Sequence, residues 1–150
     1  MRGTLALLGI AITLAKPLEA QRASPRFEWR PVGGLHFGGP QRASLALGVV
    51  GVPRTGEATH AFIALAEPGL GGAKIRAGLA SVTAFITGYE IQGSLLRTFG
   101  NPGQGARWQT YAGGEFHAVF VLINVGIGEY APIGAGGGGA LTTFTFGLGL

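Results

Sequence analysis

Glu115 and His117 stand two positions apart, on one face of any extended segment. A carboxylate and an imidazole so placed suffice for general acid–base work or for two metal ligands. Spacing fixes no nucleophile and no third ligand beside them. His36, His60 and His117 are followed two residues later by Gly38, Phe62 and Val119, so no His-x-Ser pair occurs. The absence of Cys removes thiolate metal sites and disulfides. Gly126-x-Gly128-x-x-Ala131 has the form of a dinucleotide fingerprint, but that motif must open a helix, and Pro132 with a glycine run follows. Lys74, between Ala73 and Ile75, lacks the Gly before it and the Ser or Thr after it that a phosphate loop needs. No catalytic residue, metal or cofactor is therefore expected.

The polar residues make more sense as one face of a set of strands. Glu28, Arg30, His36, Arg42, Lys74, Arg76, Glu90, Gln92, Arg107, Tyr111, Glu115, His117 and Asn124 alternate with apolar neighbours. Turned inward, they would fill a narrow lumen with ion pairs and hydrogen bonds, because an isolated buried charge is costly. Five Lys and Arg against three Glu in this set would favour anions, if the lumen served as a conduit.

Eight segments of strand length must position them. Phe27–Phe37, Arg42–Gly51, Ala58–Ala66 and Ala73–Ser81 are separated by turn signals at Gly38–Gln41, Pro53–Gly56 and Pro68–Gly72. Phe85–Phe99 and Arg107–Ala118 follow, then a segment opening at Ile123, and finally Leu141–Leu150. A turn is required between Val119 and Leu122, where no turn residue occurs. Ala58–Ala66 alternates least cleanly, with Ile63 and Leu65 on one face and Phe62 on the other. The outer connections, Gly38–Gln41, Glu67–Gly72, Gly100–Ala106 and Pro132–Ala140, are all short. Eight is even, closes a sheet without an edge, and leaves room inside for side chains alone.

The last segment, LTTFTFGLGL, puts Phe144, Phe146, Leu148 and Leu150 on one face against Thr and Gly on the other. That is the lipid-facing pattern of a closing membrane strand. Trp29, Phe37, Tyr89, Phe99, Trp108 and Phe116, near segment ends or on outward faces, suit an interfacial aromatic girdle. At the other end, Met1-Arg2 precedes an apolar run broken at Lys16-Pro17, which reads as a secretory signal peptide cleaved after Ala20. Removing residues 1–20 leaves nine basic and six acidic residues, a net charge of +3. The basic residues are scattered singly, without interleaved aromatics, which argues against nucleic acid. Gly at 29 of 150 residues far exceeds the usual ~7%. Glycines inside strands weaken them unless the strand must bend or backbones must approach closely, as in a small barrel.

The signal peptide, the alternating segments and the terminal FTFGLGL together resemble the small eight-stranded outer-membrane barrels of Gram-negative bacteria, similar in plan to the OmpA membrane domain. The expected fold is all-β: residues 1–20 a signal-peptide helix, residues 21–150 an antiparallel up-and-down transmembrane β-barrel. The resemblance implies residence in the bacterial outer membrane, insertion by the barrel assembly machinery and contact with outer-membrane lipid, with a structural or narrowly transporting, porin-like role in the cell envelope. Two other readings exist. One is a lipid-modifying enzyme on the same scaffold, as in the lipid A deacylase, whose His-x-Ser motif is missing. The other is a soluble secreted barrel of lipocalin type, which would bury Trp108 and Phe146 and expose Arg76 and Glu115.

Overall fold

The computed structural model describes residues 27–54, 60–83, 87–134 and 138–149. Eight antiparallel strands run in chain order and close on themselves. They are β1 (Phe27–Gly38), β2 (Arg42–Pro53), β3 (His60–Pro68), β4 (Gly72–Thr83), β5 (Thr87–Thr98), β6 (Thr110–Phe120), β7 (Ile123–Ile133) and β8 (Leu141–Gly149). Each pairs with its chain neighbour, and β8 returns to β1 through Gly34–Gly38 against Thr145–Gly149. Closure satisfies backbone groups that an open sheet would leave bare. The expected signal peptide, the Thr55–Gly56 part of the second turn and Leu150 lie outside the described residues.

Period-two alternation sets the two faces. Along β5, Glu90, Gln92, Ser94, Leu96 and Thr98 are buried, while Tyr89, Ile91, Gly93, Leu95 and Arg97 are exposed. In β8, Leu141, Thr143 and Thr145 turn inward and Phe144, Phe146 and Leu148 outward. The outer wall is thus a nearly continuous surface of exposed Leu, Ile, Val and Phe.

The interior is not uniformly ionic. Ile63, Leu65 and Ala80, with Val32 against them, fill the β1–β4 side. Leu96, Tyr111, Tyr130 and Leu141 fill the end where the β5–β6 and β7–β8 loops emerge, here called the loop end. Charged side chains occupy the space between. An eight-stranded lumen admits side chains but little water, so apolar groups are as stable there as on a core face.

Several boundaries differ from expectation. Glu67, expected in a connection, is the last inward residue of β3, and Pro132 belongs to β7. Arg107, expected to open a strand, lies in the loop before β6. β6 and β7 join through Val121 and Leu122 alone, with Phe120 opposite Ile123. Val121 has φ +58, the left-handed region that β-branched residues avoid. Glycine is the usual residue at the first central position of a type II′ turn, and it is missing here.

Candidate functional site

The inward residues of β1, β2, β3, β4, β6 and β7 meet in one buried network. Lys74 Nζ donates to Glu115 Oε1 at 2.7 Å and lies 3.5 Å from Glu67 Oε2. Arg76, one inward position further along β4, places Nε 3.5 Å from Glu67 Oε2 and Nη1 3.5 Å from Glu115 Oε2. Two cations on one strand therefore each span two carboxylates on β3 and β6. The Tyr130 hydroxyl donates to Glu115 Oε1. Ser44 Oγ donates to Glu67 Oε1 at 2.6 Å, and His36 Nδ1 lies 3.3 Å from Glu67 Oε2. Shared carboxylates let each charge keep a partner after leaving water, the condition for tolerating buried ions.

His117 sits between donors and acceptors. Its Nδ1 is 2.7 Å from Asn124 Oδ1, while Nε2 is 2.8 Å from both Glu115 Oε2 and Arg76 Nη1. A proton on Nδ1, donated to Asn124, leaves Nε2 to accept from Arg76; a proton on Nε2 serves Glu115 instead. Glycine makes the space for these rings. A methyl on Gly126 would stand 2.5 Å from His117 Cε1, and one on Gly147 would overlap the His36 ring.

Nine residues of the sequence-derived inward set are buried: His36, Lys74, Arg76, Glu90, Gln92, Tyr111, Glu115, His117 and Asn124. Tyr111 belongs to the apolar loop-end cluster, its hydroxyl accepting from Ala106 N at 2.9 Å. Gln92 donates to Glu90, the two lying opposite Glu115 and His117 across β5 and β6. Four members stand apart and exposed. Glu28 and Arg30 keep the inward parity, but β1 runs past the end of β8 there, and they pair with each other at 2.9 Å. Arg42 directly follows the β1–β2 turn, and Arg107 lies in a loop.

The omissions matter as much. Glu67, Ser44 and Tyr130 complete the network. Glu67 could have been found from the spacing Ala61, Ile63, Leu65, Glu67, but the apolar residues sharing its face conceal it. Correcting the set reverses its charge balance. Among the described residues the buried ions are Glu67, Glu90 and Glu115 against Lys74 and Arg76, so the expected basic excess is an acidic one when both imidazoles are neutral.

Ser44, His36 and Glu67 have the composition of a hydrolytic triad, and Ser44 is directly opposite His36 across β1 and β2. The wiring differs. Serine activation needs its hydroxyl aimed at the imidazole, with the acid behind. Here the hydroxyl donates to the carboxylate, and all three groups are buried.

On the outer wall, Phe144, Phe146 and Leu148 are about half or more exposed, at 63%, 49% and 50%. Trp29, Phe37, Tyr89 and Trp108 are exposed too, and Phe99 is half-buried with its ring 6.1 Å from that of Trp108. Phe116 is exposed in mid-strand rather than at an end, stacked with Tyr89 at 6.4 Å. Comparison with known proteins finds no matching family model, no matching curated protein and no matching solved structure.

Proposed function

We propose that the chain is an integral outer-membrane β-barrel whose lumen is closed by its own charge-paired side chains, with a structural role in the cell envelope. The observation carrying this reading is the sidedness of the wall: Ile127, Phe144, Phe146 and Leu148 face out while Arg76, Glu115 and His117 face in. In water, each fully exposed Leu, Ile or Phe forgoes about 1.5–3 kcal/mol. A whole wall of them exceeds what soluble monomers expose. In lipid the same wall is solvated, and closed strands leave no unpaired backbone.

The partners that follow are outer-membrane lipid around the wall and, during biogenesis, the barrel assembly machinery. The buried cluster acts as a cross-brace between strands that are not neighbours. Free passage through the barrel would require breaking Lys74–Glu115 and the Arg76 contacts. A soluble apolar-ligand carrier is disfavoured because its ligand would meet ions inside. A lipid hydrolase is disfavoured because Ser44 is committed to Glu67.

Expression followed by membrane fractionation tests the reading. Detergent-extracted protein should migrate differently on gels before and after heating, as folded membrane barrels do. A monodisperse protein soluble without any amphiphile contradicts it.

A further inference from the structure

Three arginines at the loop end have no place in the internal brace. We propose that Arg42 and Arg107, with Arg97 at their foot, form a binding surface for the phosphate of anionic lipid in the adjoining leaflet, an inference resting on the membrane reading above.

Residues 38–47 and 95–112 contain Arg42, Arg97 and Arg107 and no acidic side chain. The two segments are built against each other. Gly103 N donates to Pro40 O at 3.0 Å, Gly71 N to Gln41 O at 3.0 Å and Phe99 N to Gly71 O at 2.9 Å. The stem of Arg42 lies over the β5–β6 loop, where a methyl on Gly103 would come within 3.1 Å of its Cγ. That loop carries Arg107 four residues on. Arg97 Nη1 donates to Thr110 Oγ1 at 2.8 Å, which holds its guanidinium at the base of the loop with further N–H groups to offer.

Two of the three non-glycine residues with left-handed backbone are here: Arg42 at φ +66 and Trp108 at φ +56, among the described residues. Such conformations persist where surrounding structure imposes them, and they concentrate at binding sites. Trp108, 63% exposed beside Phe99, is the kind of amphipathic ring that settles at headgroup depth. It brings the adjacent Arg107 to the depth of lipid phosphates. Among the described residues Arg42, Arg97 and Arg107 form no ion pair, and the exposed Glu129 accepts from Thr142 at 2.8 Å. The rim therefore presents uncompensated guanidinium groups, whose forked donors match phosphate oxygens, immediately above an apolar wall.

The test uses the full chain folded in nanodiscs of phosphatidylcholine containing a minor fraction of phosphatidylglycerol. Mass spectrometry of lipids retained after mild extraction should show phosphatidylglycerol enriched several-fold over its bulk fraction. Enrichment should fall to the bulk value in Arg42→Asn/Arg107→Gln, where asparagine suits the left-handed backbone, and should weaken at high salt. Arg30→Gln, at the opposite end, should leave it unchanged. No enrichment in the unsubstituted protein, enrichment surviving the double substitution, or equal loss in Arg30→Gln overturns the proposal. Heat-modifiable migration, measured on each protein, separates a failure to insert from insertion without lipid selection. Should the double variant not insert, Arg107→Gln alone, exposed in its loop, must still lower the enrichment.

Discussion

Lys74 and Glu115 meet at 2.7 Å although they are 41 residues apart and lie on strands β4 and β6, which share no ladder. Their contact reaches across the lumen over β5. The brace therefore ties distant parts of the wall directly, whereas backbone ladders tie only neighbours.

Glu115→Leu should leave Lys74 and Arg76 sharing the single carboxylate of Glu67 and the Tyr130 hydroxyl without its acceptor, and cost about 3–5 kcal/mol, the range for breaking a buried pair. Lys74→Met/Glu115→Leu should cost less than the single substitution, because no lone charge remains. Equilibrium urea unfolding in lipid vesicles measures both. Additive losses would mean that the two groups do not interact.

Gly147→Ala should destabilise by about 1–3 kcal/mol, as overpacking does, because the new methyl enters the His36 ring. His36→Ala added to it should restore part of the loss. The same histidine change should not rescue Gly126→Ala, whose methyl meets His117. Rescue of both would show that the two rings do not occupy separate glycine-floored niches.

Val121→Gly should stabilise the barrel by about 0.5–1 kcal/mol. It relieves a left-handed backbone costing ~1–2 kcal/mol and concedes part of that in unfolded-state entropy. Leu122→Gly, whose backbone carries no positive φ, should destabilise slightly. Unfolding midpoints of the two variants settle the order, and a lower midpoint for Val121→Gly contradicts the strained-turn reading.

The strand count and the outward face of β8 were legible because Phe144, Phe146 and Leu148 alternate with small residues without interruption. Lys74, Arg76, Glu115 and His117 were legible as inward residues for the same reason. Glu67 was hidden because Ile63 and Leu65 share its face, and a filled lumen accepts leucine as readily as glutamate. Arg42 and Arg107 have inward parity, yet parity says nothing about where a strand ends. The Val121 turn left no mark because its conformation is imposed by Phe120 pairing with Ile123 rather than by glycine. The joining of Lys74 to Glu115 depends on the registers of β4 and β6 against β5, which no local pattern encodes.

Phe146→Lys should reduce insertion in vesicles by about 2–4 kcal/mol if that position lies near the bilayer midplane, and less nearer an interface. Thr145→Lys, on the inner face, should instead disturb packing after insertion. Folding yield against lipid concentration distinguishes these outcomes, and equal insertion of Phe146→Lys and the unsubstituted protein contradicts a lipid-facing Phe146.

The most direct measurement exploits the absence of native cysteine. Single cysteines at Ile127, Phe144 and Phe146, and at Gly128, Thr143 and Thr145, would carry a fluorophore in protein folded into vesicles containing brominated lipid. Strong quenching at the first three and weak quenching at the second three is the expected result. Quenching without alternation, or with the two sets exchanged, contradicts a barrel that turns its apolar wall to lipid and its ions inward.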